Sequence, residues 1–245
     1  MKIIEKMAKK TADHMNHESV TIAFLGDSVT QGCFEIYKKE TGEIETVFEQ
    51  RYSYERSVTD ILAMLFPMCP VNTINAGISG DHSGRGASRA ERDVLRHQPD
   101  LTVVCYGLND CSESEGSVEK YTENLRSIFE QVLTSGSELI FMTPNMMNTK
   151  VSPHLNDLDF IKLAKDTAYK QNEGFFDAHI DGARALCAQM KVPVCDCYAI
   201  WKKLAESGVD TTELLSNKIN HPTREMNKLF AYELVRTMLN EEAHQ

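Results

Sequence analysis

The sequence has no apolar run of the ~18 residues that a membrane-spanning helix needs. Its first residues, MKIIEKMAKKTADHMNHE, also lack the apolar core of a secretory signal peptide, so we expect a short amphipathic helix or tail over 1–18. Cationic residues are in deficit, with 26 Lys and Arg against 36 Asp and Glu and a net charge of −10. Because nucleic acids and anionic membranes both attract clustered cations, we expect neither as a partner.

The cysteine pattern does not suit a disulfide framework. Seven cysteines, an odd number, are scattered along the chain, and several lie in apolar runs. This usage is typical of the reducing cytoplasm, which is where we expect the protein to act. The pair Cys195 and Cys197 is too close for a zinc knuckle and has no second pair nearby. We therefore expect buried thiols, no metal site and no cofactor.

The chain does contain a regular alternation of apolar, strand-like runs and helix-like patterns. Strands are predicted over 20–25, 71–75, 101–106, 138–143 and 192–196. Helices are predicted over 54–66, 85–97, 118–134, 174–190 and 224–239. Such an alternation implies right-handed βαβ units and a parallel sheet covered on both faces. We therefore predict one α/β domain over 1–245, with three layers and a five-stranded parallel sheet.

Two segments depart from this alternation. In residues 33–50, apolar and polar side chains alternate on both sides of Thr41-Gly42, which predicts a β-hairpin. This hairpin either lines one side of a site or lies on the surface without ligand contact. Residues 144–172 read as a long polar connection, and a connection of that length in a compact domain is usually functional or mobile.

Four short motifs carry the chemical signal. An apolar run ends in GDS at 26–28, and two further strand-like runs lead into NAGISGD at 75–81 and GLND at 107–110. The fourth motif, HP at 221–222, opens the last helix-like segment. A lone GDS often only caps a helix. In this order and over most of the chain, however, the four motifs resemble the blocks of the SGNH hydrolases, also called the GDSL esterase/lipase family.

The resemblance implies a flavodoxin-like SGNH hydrolase fold and a role for each motif. It makes Ser28 the nucleophile, and it assigns the oxyanion donors to the backbone N–H groups of Ser28 and Gly80 and to the side chain of Asn109. These roles make physical sense, since Gly80 has no Cβ to block a substrate and an amide donates without a protonation state. Asp27 is expected to brace the nucleophile turn through backbone hydrogen bonds.

His221 is the expected base, because a serine hydroxyl attacks poorly until a base takes its proton. His82, close to Gly80, is the rival. The sequence departs from the family pattern of Asp-x-x-His, since Lys218 stands where the aspartate belongs. Three interpretations stay open: Asn217 orients the imidazole, a backbone carbonyl does so, or an acid from another segment does so. We expect a neutral acceptor, either Asn217 or a carbonyl within 216–220.

These residues predict hydrolysis of a small-molecule ester through an acyl-serine. The resemblance favours a small O-acyl group, acetyl above all, on a carbohydrate, and aromatic residues in and after the hairpin would suit sugar faces. These aromatics are Phe34, Tyr37, Phe48, Tyr52 and Tyr54. The alternatives are a short-chain lipid esterase or thioesterase, and a non-catalytic module that holds an anion at a helix N-terminus. The sequence leaves a homo-oligomer open.

Overall fold

The computed structural model describes residues 1–111 and 117–240. The central sheet consists of five parallel strands, which are β1 Val20–Gly26, β4 Val71–Gly77, β5 Leu101–Cys105, β6 Glu138–Met142 and β7 Val194–Cys195. Their order across the sheet is β4-β1-β5-β6-β7. The predicted fold class, a single α/β domain with a five-stranded parallel sheet, is therefore confirmed.

Helices cover both faces of this sheet. Their bounds are α1 Lys2–Ala12, α2 Ser28–Gln31, α3 Tyr54–Leu65, α4 Ser83–Asp93, α5 Val118–Thr134, α6 Leu158–Asn172, α7 Phe175–Met190, α8 Cys197–Glu206 and α9 Arg224–Asn240. Successive residues of β1 point to opposite faces, so Ile22 and Phe24 pack into one core cluster while Ala23 and Leu25 pack into the other. None of the helices described here is long and apolar enough to span a bilayer.

The prediction for 144–172 is wrong in its second half, because α6 occupies Leu158–Asn172. Asp157 begins this helix, accepting the N–H groups of Asp159 and Phe160 with its carboxylate. The buried face of α6 consists of Ala164, Thr167, Ala168 and Gln171. Small and polar buried residues give no apolar stripe, which is why the sequence pattern did not reveal the helix. Helix α8 was also not predicted, and β7 is only two residues long.

Residues 33–50 contain the predicted antiparallel hairpin, formed by β2 (Cys33–Lys38) and β3 (Ile44–Phe48). Gly42 in its turn has a φ of +85°, which favours glycine. Lys38 ties the tip of the hairpin to the start of α6 through Asp157, at 3.3 Å, and Asp159, at 2.6 Å. The hairpin begins directly after α2, so its first residues lie beside the carboxyl end of β1.

The ends of β1 and β4 approach α2 so closely that only glycine fits. A Cβ on Gly77 would clash with the backbone nitrogen of Gln31 in α2, and one on Gly26 would clash with Thr30 in α2 and lie 2.7 Å from the carbonyl oxygen of Cys105 in β5. Ile78 then donates its N–H to the Gly26 carbonyl at 3.1 Å. The loops after β1 and β4 therefore leave the sheet side by side, which sets the position of the residues that follow them.

Candidate active site

Ser28 is the first residue of the four-residue helix α2, directly beyond β1. The cap of this helix is Asp27, whose carboxylate accepts the N–H of Val29 at 2.9 Å. Gly32 ends the helix with a φ of +84°. The alternative in which Ser28 only caps a helix does not fit this geometry, because Asp27 fills that position. Asp27 thus stabilises the turn that presents Ser28 through a backbone hydrogen bond.

His221 lies against Ser28 although 193 positions separate the two residues in the chain. Its Nε2 is 3.0 Å from Ser28 Oγ, and its Nδ1 is 2.9 Å from the backbone carbonyl oxygen of Phe34. A carbonyl can only accept a hydrogen bond, so Nδ1 carries the ring proton. Nε2 is then left with a lone pair facing the serine hydroxyl, which is the tautomer that a general base needs.

The group that orients the imidazole differs from the expected one. Within the described chain, the Nδ1 partners are the Phe34 carbonyl and the thiol of Cys33, the latter at 3.4 Å. The acceptor is a neutral group, as expected, but it comes from the hairpin and not from Asn217 or the segment 216–220. Burial raises the pKa of the Cys33 thiol to about 12, so this neighbour adds no charge at Nδ1.

Asn217 supports the backbone of His221, and its described hydrogen bonds do not include the imidazole ring. Its Oδ1 accepts the N–H groups of Ile219 at 3.0 Å, Asn220 at 2.9 Å and His221 at 2.9 Å. With its oxygen used in this way, Asn217 fixes the turn that presents the imidazole. Lys218 has a φ of +58° and its ammonium is paired with Glu213 at 2.9 Å.

The residues assigned to the oxyanion follow three neighbouring strands. Ser28 comes after β1, Gly80 after β4 and Asn109 after β5, and the register pairs Gly26 with both Gly77 and Cys105 at the strand ends. Gly80 has a φ of +74°, and a Cβ placed on it would meet no described atom within 4 Å. The open space above Gly80 suits a substrate carbonyl.

Two further contacts fix the loops that carry these residues. Asn109 donates from Nδ2 to the Asp81 carbonyl oxygen at 2.7 Å, which orients an amide that has two N–H groups. Asp110 accepts the N–H and hydroxyl of Ser83, joining the GLND segment to the start of α4. His82, the rival base, accepts the N–H of Gly84 with Nδ1 at 3.2 Å and caps α4.

Arg89 is a buried residue that sequence reasoning missed. It donates to the carbonyl oxygen of Gly26 at the end of β1, at 3.0 Å, and to that of Ala76 in β4, at 2.7 Å. It also reaches the Tyr106 hydroxyl, at 2.8 Å, and pairs with Asp81. One guanidinium thus joins the segments that carry the three oxyanion candidates. An arginine within a polar helix gives no sequence signal of such burial.

Burial sets the protonation of two site residues. It lowers the pKa of His221 to about 4, a shift that the Phe34 carbonyl and the charge of Glu35 oppose. Burial also raises the pKa of Asp27 to about 7, although its hydrogen bond from Val29 favours the charged form. His221 is therefore neutral at pH 7 and able to accept a proton.

Within residues 1–111 and 117–240, no cluster of three or more His, Cys, Asp or Glu side chains is placed to hold a metal ion.

Comparison with known proteins connects this geometry to an enzyme family. The model of the GDSL-like lipase/acylhydrolase family matches residues 24–229. An acetylxylan esterase from Geobacillus stearothermophilus is 25% identical over 167 residues, which cover 64% of this chain and 74% of that protein.

Solved structures share the fold. A two-domain esterase active on acetylated mannans superposes with a TM-score of 0.66 at 20% identity, over 96% of this chain and 52% of that one. The present chain therefore spans about half of that esterase. A catalytic mutant of the G. stearothermophilus acetylxylan esterase superposes with a TM-score of 0.66 at 17% identity, over 91% and 96% of the two chains. A lipase/acylhydrolase from Enterococcus faecalis gives 0.65 at 21% identity, over 89% and 95%.

Replacing Asp27 with Asn should stabilise the protein in a pH-dependent manner. Asn keeps an oxygen for the Val29 N–H but cannot ionise. The pKa of Asp27 is about 7 in the folded chain and near its ordinary value of 3.8 when unfolded, so ionisation costs stability as the pH rises between these values. Urea unfolding of both proteins from pH 4 to pH 9 should show a stability difference that grows up to about pH 7 and is constant above it. A stability difference that does not change with pH would contradict the raised pKa of Asp27 in the folded chain.

Proposed function

The chain belongs to the GDSL-like lipase/acylhydrolase family and is a carboxylic ester hydrolase, and from this premise we propose that it removes small acyl groups, acetyl above all, from carbohydrates through an acyl-Ser28 intermediate. The observation that carries the mechanism is the 3.0 Å contact between Ser28 Oγ and His221 Nε2 at the carboxyl edge of the sheet. That edge is where α/β sheets keep their ligand sites.

The reaction has two halves. In the first, His221 Nε2 takes the hydroxyl proton while Ser28 Oγ attacks the ester carbonyl, whose oxygen becomes an oxyanion. The N–H groups of Ser28 and Gly80 and the Asn109 amide donate to that oxyanion. Collapse of the intermediate expels the sugar alcohol, which receives the proton from His221. In the second half His221 deprotonates a water, which attacks the acyl carbonyl. The second tetrahedral intermediate then breaks its bond to Ser28 Oγ, which takes the proton from His221, and the carboxylic acid is released.

The Phe34 carbonyl performs part of the task of a triad aspartate. It holds the proton on Nδ1 and fixes the ring, as an aspartate does, but it carries no full negative charge to stabilise the imidazolium. The low pKa of His221, about 4, agrees with a buried imidazole that has a neutral partner. We therefore expect a working dyad of modest rate rather than a full triad.

The substrate proposal draws on the named relatives and on the hairpin. The relatives in question are an esterase of acetylated xylan and an esterase of acetylated mannans. Of the aromatic residues considered from the sequence, Phe34 and Tyr54 are buried in the core, whereas Tyr37 is 55% exposed and Phe48 is 47% exposed. Tyr37 lines an open cavity of about 530 Å³ between β2 and the segment 154–160, which adjoins the turn before His221 but is lined by neither Ser28 nor His221. An exposed tyrosine ring suits a sugar face.

The Ser28–His221 site fits the alternative functions to different extents. A short-chain lipid esterase or thioesterase would use the same dyad on another alcohol or thiol, so only substrate preference distinguishes it. A non-catalytic anion-binding module would give His221 no reason to face the serine hydroxyl at 3.0 Å.

A deacylation screen tests this proposal. Acetylated xylo- and manno-oligosaccharides should be hydrolysed with a higher kcat/KM than p-nitrophenyl esters of rising chain length, among which acetate should be preferred. Preference for an eight-carbon acyl ester, or for a thioester, would favour the lipid or thioester alternative.

Ser28→Ala should lower kcat by about 10⁴-fold or more without changing the unfolding midpoint. A Ser28→Ala protein with a tenth of the wild-type rate would contradict the mechanism.

The pH dependence of hydrolysis should report the unusual histidine. His221 must be neutral to accept the serine proton, so kcat/KM should rise with pH as His221 loses its proton. Because burial lowers its pKa to about 4, the rise should be centred near that value, below the ordinary 6.5 of histidine. Initial rates from pH 3.5 to pH 8 with an uncharged acetyl ester measure this directly. A midpoint at 6.5 or above would mean that a charged group stabilises the imidazolium.

A further inference from the structure

The orientation of His221 depends on how firmly the hairpin is held, since the oxygen that accepts its Nδ1 proton belongs to the hairpin backbone. Phe34 lies near the beginning of β2, where the register of the hairpin shifts between Cys33 and Ile36. The ladder is irregular there, so strand pairing alone fixes this peptide less well than a regular ladder would. Something else must hold the Phe34 carbonyl at 2.9 Å from the imidazole.

Arg224 makes contacts that serve this purpose. Its Nη1 and Nη2 donate to the two carboxylate oxygens of Glu35, at 2.7 and 3.0 Å, in a bidentate pair. Its Nε donates to the carboxylate of Glu49, directly after β3. Its guanidinium also lies over the Phe34 ring, 4.4 Å from the ring centre. One side chain thus contacts Phe34, the residue after it, and the end of the second hairpin strand.

Arg224 also lies close in the chain to His221, the donor of the hydrogen bond to the Phe34 carbonyl. It is the first residue of α9 and follows His221 by three positions. The backbone turn between them is fixed by Ser216, whose N–H donates to the His221 carbonyl oxygen at 2.8 Å. The guanidinium therefore links the two backbone segments whose separation sets the distance from Nδ1 to the Phe34 carbonyl.

We propose that Arg224, with Glu35 and Glu49, is a positioning residue that clamps the hairpin to α9 and so keeps the Phe34 carbonyl on His221 Nδ1. The proposal rests on the Ser28–His221 mechanism above. In this chain an ion-pair clamp and a backbone carbonyl together take the place of a triad carboxylate. Arg224 acts through His221 and does not touch the reacting atoms.

The chemistry of the clamp suits positioning more than stability. The Arg224 side chain is 29% exposed, so water and salt screen its ion pairs in part and limit what these pairs contribute to the free energy of unfolding. A planar guanidinium that bonds two carboxylates and stacks on a ring fixes direction as well as distance. Glu35 also has an electrostatic role, because its negative charge opposes the burial that lowers the pKa of His221. Loss of the clamp should therefore change the site more than the fold.

A matched pair of arginine variants tests the proposal. Arg184 is also paired with two carboxylates, those of Asp181 and Asp196, and its side chain is 32% exposed, but it lies on α7 away from the site. With p-nitrophenyl acetate, Arg224→Gln should lower kcat by about 10- to 100-fold with little change in KM, because the base is misaligned. Arg184→Gln should leave both constants unchanged. Arg224→Lys, which cannot form the bidentate contact, should fall between Arg224→Gln and wild type.

A second readout separates positioning from a merely structural role and does not need turnover. Nitrogen-15 NMR of the histidine rings should show one tautomer at His221 in the wild-type protein, with the proton on Nδ1, and a mixture of tautomers in Arg224→Gln. Glu49→Gln, which leaves the Glu35 contact intact, serves as a milder variant should Arg224→Gln fail to fold.

Three results would overturn the proposal: an unchanged kcat in Arg224→Gln, an equal loss in Arg184→Gln, or an unchanged single tautomer in both clamp variants. A wild-type protein inactive on every ester would count against the proposed function. The tautomer measurement would still show whether Arg224 keeps the Phe34 carbonyl on His221 Nδ1.

Discussion

The hydrogen bond between His221 Nδ1 and the Phe34 carbonyl is the contact on which the rest of the site depends. It selects the tautomer in which the lone pair of Nε2 faces the Ser28 hydroxyl, as the proposed mechanism requires. Because the acceptor is a backbone atom, its position is set by the path of the chain and not by a rotamer. In the proposed mechanism the hairpin β2–β3 therefore helps to orient the base, although none of its side chains takes part in the proton transfer.

A second constraint comes from the sheet. The proposed mechanism needs donors from three loops within hydrogen-bond reach of one oxygen, and the parallel order β4-β1-β5 brings the ends of three strands together. Close approach of α2 requires glycine at Gly26 and Gly77, and Arg89 bonds the carbonyls of two of the strands. These contacts pre-organise the loops before a substrate arrives, so little reorganisation is needed when charge develops on the substrate oxygen.

The sequence predicted the parts of this arrangement that have local signatures. Apolar runs located the strands, and the motifs around Ser28, Gly80, Asn109 and His221 indicated a serine hydrolase. The orienting group was not predictable, because every residue has a backbone carbonyl and no residue type marks the one that faces a histidine. The burial of Arg89 was not predictable either, because it depends on tertiary contacts. Helix α6 escaped prediction because its buried face is small and polar.

The most direct test of the account is covalent labelling with a p-nitrophenyl phosphonate, followed by peptide mapping and by loss of acetyl-ester hydrolysis. A phosphonate imitates the tetrahedral intermediate and forms a stable bond only with an activated nucleophile. We expect one adduct per chain, on the peptide that contains Ser28, with activity falling in proportion and with labelling lost in His221→Ala. Inactivation through an adduct on another residue, such as Cys33, or full labelling of Ser28 with activity retained, would contradict it.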